Sequence, residues 1–391
     1  MRKYAAAGLA LTVLLFGGAY LAAGGPAAEP EPAAPETATV HHDRDVTLTI
    51  QDGGTTEQMT LERYLTGVVR GEMPASFEME ALRAQAAAER SYVYYQLAAG
   101  RKDAHPDADF CTDHTCCSAY LSETAAREKW GGDFAPWNTR VEQAVSDTDG
   151  QVVLYNGRPI LAVFHSSSAG RTAAAGDVWS GDLPYLRSVD SPEGEETVPN
   201  YYSTVTFTAA EAKEKLLAAY PELKLSGTPD RWFGAAAENG SGRVETVSVG
   251  GADIEGTELR RIFGLRSACF TVAADSESVT FRVTGYGHGV GMSQYGANQL
   301  AREGKTWQEI LTWSGTIRAP RWEMRDKYRK MWYNPTAIRD IYSLFRKSIS
   351  RGLYNIRDTN DTTGRKAQMA RNILVVEDDR NISDLIRMYL E

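Results

Sequence analysis

The sequence YLTGVVRGEMPASF at residues 64–77, followed by EALRAQA at residues 80–86, is the most strongly patterned part of the chain. Apolar residues recur with helical spacing up to Arg70, and Pro74 then disfavours a helical conformation in the residue before it. A second helix is predicted from about Glu78 to Leu97. Glu72 is therefore expected at a break between two helices, where the backbone can present one side chain to a cleft.

Short strands and further helices are predicted on either side of this segment. Strands are expected at residues 46–50, 151–155, 160–164, 244–249, 270–272 and 279–283, and helices at 140–150, 209–220, 256–263 and 297–313. Strands mixed with segregated helices are typical of the α+β class rather than of a doubly wound sheet. We expect an α+β fold of mixed short strands and helices around one groove.

The composition and charge are those of a globular protein. The chain has 391 residues, of which 42% are hydrophobic and 24% charged, and its net charge is −9. This composition excludes a disordered chain. The acidic balance argues against a nucleic-acid partner, because such binding depends mostly on neutralising phosphates.

The N-terminus predicts an exported protein. Arg2 and Lys3 precede an uncharged apolar run from Tyr4 to about Ala23, and about 20 apolar residues are enough to span a bilayer. Residues 1–24 are predicted to be a single-pass anchor in the cell membrane, and the alternative is a cleaved signal peptide. Both interpretations place the rest of the chain outside the cytoplasm, after a flexible linker at residues 25–44 that is rich in Pro, Ala, Glu and Thr.

Three of the four cysteines lie in one short loop. Cys111, Cys116 and Cys117 fall within seven residues and are flanked by His105 and His114. In an exported chain, one interpretation is a disulfide between Cys111 and one of the other two. The other is zinc, which takes about four soft ligands in a tetrahedron. A zinc site closed by four protein ligands would be structural.

Two further stretches carry polar chemistry. Residues 165–170 read HSSSAG and offer hydroxyls and unobstructed amides to a polar ligand, but they lack the Gly-x-Ser-x-Gly pattern of a serine nucleophile. Residues 285–296 read GYGHGVGMSQYG and contain five glycines. They lack the ending of a phosphate loop, so close approach of this backbone to another segment or to a ligand is expected.

Taken together, these stretches resemble the SpoIID/LytB domain family. Residues 64–86 are similar to its first motif, residues 165–172 to its second and residues 287–297 to its third; residues 256–261 and 264–267 also match. The motifs agree in order and spacing, so a catalytic domain is expected over residues 45–315. Residues 88–92 read AERSY where the family usually has Ala-Ala-Arg-Thr-Tyr, and another departure lies in the second motif. Glu89 stands where alanine is usual and adds a negative charge near the site, and Ala169 replaces a usual glycine.

The resemblance implies a lytic transglycosylase that cuts peptidoglycan glycan strands during engulfment in sporulation. It implies stage II sporulation proteins P and M as partners, and Glu72 as the catalytic acid and base. The side chains expected to line the groove are Arg83, Arg90, His165, Ser166, Ser168, His288 and Gln294. The family's zinc ligands fall on His105, Cys111 and Cys117, with Cys116 favoured over His114 as the fourth.

One carboxyl is sufficient for this reaction. Hydrolysis of a glycoside needs two carboxyls, whereas in lytic cleavage the C6 hydroxyl of the muramic acid attacks its own C1 to form a 1,6-anhydro ring. A single Glu72 first donates a proton and then accepts one, so we expect partial burial to raise its pKa. One alternative is a non-catalytic peptidoglycan-binding module that positions or activates a partner amidase. Another is a metal-dependent amidase, which would need an open zinc site near Glu72.

The resemblance ends after Trp313. Residues 316–371 carry 14 basic and 5 acidic side chains, a net charge of +9, and residues 372–391 look like the first strand and helix of a response-regulator receiver domain. Residues 316–391 are interpreted as an atypical basic tail produced by a frameshifted or read-through reading frame. The alternative is a genuine tail that binds membrane or wall polymer.

Overall fold

A computed structural model describes residues 42–316 of the chain, apart from Gly157 and Ser180. The anchor predicted over residues 1–24, the linker up to residue 41 and the tail beyond residue 316 lie outside the described residues. Within the described range, none of the helices combines the length and the apolar character needed to cross a membrane.

The predicted helix break beside Glu72 is confirmed. Helix α1 (Leu61–Glu72) and helix α2 (Met79–Ala99) are separated by a short turn that contains Pro74. Helix α1 begins after Thr60, whose hydroxyl accepts a hydrogen bond from the N–H three residues further on. Pro74 has no N–H with which to continue a helix, so α1 ends with the Glu72 side chain at its last position.

A first hydrophobic cluster forms around α1 and α2. The elements that accompany these helices are β1 (Thr47–Asp52), β2 (Thr55–Thr60), β3 (Phe110–Cys111), α3 (Glu123–Trp130), α4 (Phe134–Asp147), β4 (Leu154–Tyr155) and β5 (Arg158–Pro159). Strand β1 pairs antiparallel with β2 and parallel with β3. Strands β4 and β5 pair antiparallel, with Asn156 between them in the left-handed region at φ 48°. The sequence predicts strands over residues 151–155 and 160–164, but residues 151–153 and 160–163 are not in strands. The apolar faces of α1 and α2, including the fully buried Leu65, Val68 and Leu82, lie in this cluster.

A second hydrophobic cluster is built from two antiparallel sheets and two helices. Between β6 (Phe164–His165) and β13 (Met292–Ser293), its elements are β7 (Tyr202–Thr208), α5 (Ala209–Ala219), β8 (Phe233–Glu238), β9 (Val244–Val249), β10 (Ala252–Glu255), α6 (Gly256–Phe263), β11 (Phe270–Ala274) and β12 (Ser278–Thr284). The strand orders are β10-β9-β8 and β11-β12-β7. Phe281 lies at the centre of the cluster, fully buried and in contact with four other phenylalanine rings.

The second and third motifs are joined by a short parallel ladder. Strand β6 pairs with β13, and helices α7 (Gln294–Arg302) and α8 (Trp307–Leu311) follow. The single helix predicted over residues 297–313 is therefore wrong, because Thr306 and Glu309 form a capping box that starts a new helix. Short strands and segregated helices confirm the α+β class.

The glycines of the third motif are required where its backbone lies against β6. Gly291 has φ 73°, and a Cβ at this position would lie 2.1 Å from the carbonyl oxygen of Val163. A Cβ at Gly287 would lie 2.7 Å from the His165 Cβ. The expected close approach of this loop to another segment is thus an approach to the second motif.

Candidate active site and metal centre

Glu72 is a half-buried carboxyl at the C-terminal end of α1. Its Oε1 accepts a hydrogen bond of 2.6 Å from the backbone N–H of Ala119. Burial raises the pKa of Glu72 above its ordinary value, although the Ala119 N–H and the nearby His114 act in the opposite direction. The carboxyl therefore favours the protonated form more than a carboxyl in water does.

Two glycines of the first motif bring the segment at residues 119–121 against α1. A Cβ at Gly67 would lie 2.1 Å from the Tyr120 ring, and one at Gly71 would lie 2.3 Å from the Ala119 carbonyl oxygen. The Leu121 N–H also donates to the Gly67 carbonyl oxygen at 2.9 Å. Side chains larger than hydrogen at either glycine would displace the amide that holds the Glu72 carboxyl.

The structure brings Gln294 from the third motif to Glu72. Its Nε2 donates to the Glu72 backbone carbonyl at 2.9 Å and lies 3.5 Å from Gln85 Oε1. Gln294 occupies the first position of α7, directly after the ladder between β6 and β13. The first and third motifs therefore meet at Glu72.

A second carboxyl, that of Glu89, lies beside the first. Glu89 is 1% exposed, and its two oxygens accept hydrogen bonds from Gln85 Nε2 at 3.2 Å and Ser118 Oγ at 3.1 Å. Burial raises the pKa of Glu89 well above its ordinary value, and the charge of Glu72 raises it further. The departure at residue 89 therefore places beside Glu72 a buried carboxyl that favours its protonated form.

The two predicted histidines, the buried His165 and the half-buried His288, lie beside each other. The ring centroids of His165 and His288 are 5.8 Å apart. His165 Nδ1 donates to the Val290 carbonyl, while the Val290 N–H donates to His288 Nδ1. Burial lowers the pKa of His165 to about 4 and that of His288 well below its ordinary value, so both rings are neutral at pH 7. His165 Nε2 has no hydrogen-bond partner among the described residues.

Ser168 is tied to a carboxylate that the motifs did not indicate. Its N–H and hydroxyl donate to Glu193 Oε1 at 2.7 and 2.8 Å, and the hydroxyls of Ser191 and Ser293 donate to the same carboxylate. Burial alone would raise the pKa of Glu193, but these donors outweigh it and lower the pKa. Ser166 is half-buried, and its carbonyl accepts from the Tyr295 N–H at 3.0 Å.

Arg90 does not line a groove. Its side chain is fully buried, and its guanidinium donates to both oxygens of Asp43 at 2.6–2.9 Å and to the Val145 carbonyl. The prediction of substrate contact is therefore wrong for this residue: Arg90 fixes the start of the domain to α2.

Arg83 is also held away from Glu72. Its guanidinium pairs with Glu80 and with Asp147 at the end of α4. At 100° per residue, Arg83 lies on the opposite face of α2 from Gln85 and Glu89. Contact of Arg83 with a substrate held at Glu72 is not supported by this position.

The four predicted metal ligands converge. The ligand atoms of His105, Cys111, Cys116 and Cys117 all lie within 4.8 Å of one another, and all four residues are buried. His114 lies outside this group, with its side chain 77% exposed. All four cysteines of the chain lie among the described residues and are free, so the disulfide interpretation is not supported.

Comparison with known proteins places these features in one family. Residues 51–155 match the family model for stage II sporulation protein (SpoIID). The chain is 37% identical over 255 residues to stage II sporulation protein D of Bacillus subtilis (strain 168), covering 65% of this chain and 72% of that one. It is 35% identical, with the same coverage, to the protein of that name from Bacillus amyloliquefaciens.

A more distant relative has a different name. The amidase enhancer of Bacillus subtilis (strain 168) is 28% identical over 294 residues, covering 63% of this chain and 39% of that one. The matches at 35–37% identity extend well beyond the first motif and cover most of the relatives' length. The chain belongs to the stage II sporulation protein (SpoIID) family.

Proposed function

We propose that this protein is a lytic transglycosylase that cleaves the MurNAc–GlcNAc bond of peptidoglycan glycan strands. Its proposed substrates are strands denuded of stem peptides. The observation that carries the proposal is the environment of Glu72. Its carboxyl is half-buried, its pKa is raised, and it lies where the first and third motifs meet. A carboxyl with these properties suits a general acid that works near neutral pH.

The reaction uses Glu72 twice. The protonated carboxyl first gives its proton to the glycosidic oxygen as the bond from that oxygen to C1 of MurNAc breaks. The resulting carboxylate then takes the proton of the C6 hydroxyl while O6 bonds to C1, which closes the 1,6-anhydro ring. Glu72 ends protonated, so no water or external nucleophile is consumed.

The second carboxyl does not support hydrolysis. A hydrolase places both carboxyls at the scissile bond, with one of them acting on a water molecule or on the sugar itself. Glu89 is 1% exposed, and both its oxygens are engaged by Gln85 and Ser118. Because a sugar cannot reach this carboxyl in the described arrangement, Glu72 acts alone on the substrate.

We also propose that the four converging ligands hold a structural zinc ion. The donor set of one imidazole and three thiols is one that zinc prefers. His105 Nδ1 donates to the Ala108 carbonyl at 3.0 Å, which leaves the Nε2 lone pair directed at the thiols, 3.3 Å from Cys117 Sγ. Bound zinc would crosslink the loop that continues into Ser118 and Ala119, and with four protein ligands it supplies no chemistry to the sugar.

Zinc removal tests this assignment without reference to activity. We expect about one zinc per chain by elemental mass spectrometry, and a lower Tm after chelation or in Cys111→Ser, because the metal stabilises only the folded loop. His114→Ala is the control and should keep its zinc. Full zinc content in Cys111→Ser, or zinc loss in His114→Ala, would contradict the ligand set.

The proposed setting is the outer side of the cell membrane during engulfment. It rests on the family membership and on the apolar N-terminal run, with residues 1–24 as the single-pass anchor and stage II sporulation proteins P and M as partners. A pull-down from sporulating cells with the full chain tests the partners.

Product analysis tests the proposed activity. Purified protein is incubated with denuded glycan strands, and the ends formed are identified by mass spectrometry. The wild type should form 1,6-anhydro-MurNAc ends, and Glu72→Gln should lose about 100-fold or more of this rate, the usual contribution of general acid–base catalysis. Glu62→Gln, an exposed position on the same helix, should retain it. Reducing MurNAc ends, or full activity of Glu72→Gln, would overturn the assignment.

The likeness to an amidase enhancer favours one second candidate, a module that binds peptidoglycan and activates a partner amidase. The two functions differ in their dependence on Glu72. The enhancer would be favoured by two results together. The wild type would form no anhydro ends, and Glu72→Gln would stimulate a purified amidase as strongly as the wild type does.

A further inference from the structure

Glu72 and Glu89 are connected by a closed circuit of contacts. From the Glu72 carboxyl the circuit runs to the Ala119 N–H, along the chain to Ser118, and from Ser118 Oγ to Glu89. It returns from Glu89 to Gln85, from Gln85 to Gln294 and from Gln294 to the Glu72 carbonyl. Glu89 is the point at which the two halves of the circuit join.

Each half of the circuit fixes a different part of Glu72. The half through Ser118 and Ala119 holds the carboxyl, and the half through Gln85 and Gln294 holds the backbone carbonyl of the same residue. An amide side chain such as Gln85 can turn over and exchange its donor and acceptor ends. Because Glu89 Oε1 accepts from Gln85 Nε2, the Oε1 end of Gln85 is left to face Gln294.

We propose that Glu89 is a positioning residue that closes this circuit and thereby fixes the Glu72 carboxyl for proton transfer. The inference rests on the proposed function of Glu72. Glu89 is buried and does not touch the substrate, so it acts only through Ser118 and Gln85. Glu89 is one of the residues at which the chain departs from the pattern that it resembles.

Glu89 can do this as a neutral acid, the form that its burial favours. In that form one of its oxygens accepts from Gln85 Nε2 and the other shares a proton with Ser118 Oγ. Glutamine has the same shape, accepts through its oxygen and donates through its nitrogen, so Glu89→Gln can make both contacts. Glu89→Ala can make neither contact.

The test compares kcat and KM on denuded strands for the zinc-loaded wild type, Glu89→Gln and Glu89→Ala. We expect Glu89→Ala to lose about 10- to 100-fold in kcat with little change in KM, the scale of a misplaced catalytic group. Glu89→Gln should restore kcat to within about threefold of the wild type. Gln85→Ala opens the other half of the circuit, so its effect should not multiply with that of Glu89→Ala in the double variant.

Several outcomes overturn the inference. One is a wild-type kcat in Glu89→Ala, and another is a loss of kcat in Glu89→Gln equal to that in Glu89→Ala. A third is a double variant in which the losses of kcat from Glu89→Ala and Gln85→Ala multiply. Each result counts against the inference if Glu72→Gln is inactive. Full activity of Glu72→Gln would instead remove the proposed function.

If the wild type forms no anhydro ends, the positioning role of Glu89 can still be tested by a measurement that does not depend on catalysis. The carboxyl of Glu72 is followed by carbon-13 NMR during a pH titration in the same variants. Tyr64 and His114, which interact electrostatically with this pair, are unchanged in them. Glu89→Gln should leave the Glu72 signal and its midpoint in place, and Glu89→Ala should shift both. Identical titrations in all variants would refute the circuit.

Discussion

Two buried carboxyls in this molecule have pKa values shifted in opposite directions. Glu89, beside Glu72, and Glu193, beside the second motif, are 1% and 4% exposed. Burial raises the pKa of both, yet the final pKa of Glu89 is raised and that of Glu193 is lowered. Burial alone therefore does not decide the charge of a carboxyl in this protein.

The difference lies in the donors. Glu193 accepts from one N–H and three hydroxyls, those of Ser168, Ser191 and Ser293, and such donors stabilise the ionised form. Glu89 accepts from two donors at 3.1–3.2 Å and has Glu72 as a like-charged neighbour. Glu193 thus favours its ionised form and ties the second motif to the third, while Glu72 and Glu89 favour their protonated forms.

The largest expected effect is a pair of stability changes of opposite sign. At pH 7, Glu193→Gln should lower the free energy of unfolding by about 2–3 kcal/mol, because hydrogen bonds to a charge are lost. Glu89→Gln should raise it by about 1–3 kcal/mol, because the folded wild type must retain a proton that the unfolded chain releases. Urea unfolding measures both, with Glu62→Gln as the control. Changes of the same sign would break the comparison.

The same variants sharpen the comparison through pH. Glu89 has a raised pKa in the folded state, so its contribution to stability is present below its ordinary value of 4.5 and is lost as the pH rises through the folded value. Glu193 has a lowered pKa, so its contribution is present above 4.5 and is lost as the pH falls through the folded value.

Each group changes the free energy of unfolding by at most about 1.4 kcal/mol per pH unit. Above pH 4.5, Glu89→Gln should make the free energy of unfolding depend less on pH than in the wild type. Glu72, whose pKa is also raised, keeps part of this dependence. Below pH 4.5, Glu193→Gln should have the same flattening effect. Thermal unfolding in a pH series checks this. Profiles parallel to that of the wild type would contradict the assigned protonation states.

The smallest expected effect comes from removing one donor. Ser191→Ala should raise the pKa of Glu193 and cost about 1 kcal/mol, since three of the four donors remain. Carbon-13 NMR of the Glu193 carboxyl measures the pKa, and the exposed Ser146→Ala serves as the control. An unchanged pKa would show that the serine hydroxyls do not hold the charge.

Local sequence signals predicted the parts of the site that depend on local chemistry. Pro74 marks the helix break, the glycines mark the close approach of the third motif to the second, and the histidine and cysteine spacing marks the loop in which four candidate ligands converge. Each of these follows from the conformational limits or the ligand chemistry of the residue itself.

The remaining features depend on distant partners that no local pattern contains. Arg90 lies just after the first motif and is therefore predicted from the sequence to line the site. Its partner is Asp43, which lies 47 residues earlier in the chain, so no local pattern shows the contact. Glu193 is joined to Ser293, 100 residues away. The sequence predicts a negative charge at Glu89, whereas its burial against Ser118 and Gln85 raises its pKa and favours the neutral form.

The central claim is that Glu72 is the catalytic acid, and the most direct test compares the pKa of Glu72 with the pH dependence of the cleavage rate. The pH dependence of kcat/KM reports ionisation of the free enzyme, and carbon-13 NMR reports the pKa of the Glu72 carboxyl in that same enzyme. We predict that Glu72 titrates above its ordinary value of 4.5 and that kcat/KM for anhydro-product formation falls at the same pH. A Glu72 that titrates at or below 4.5, or a rate that falls at a different pH, would contradict its role as the catalytic acid.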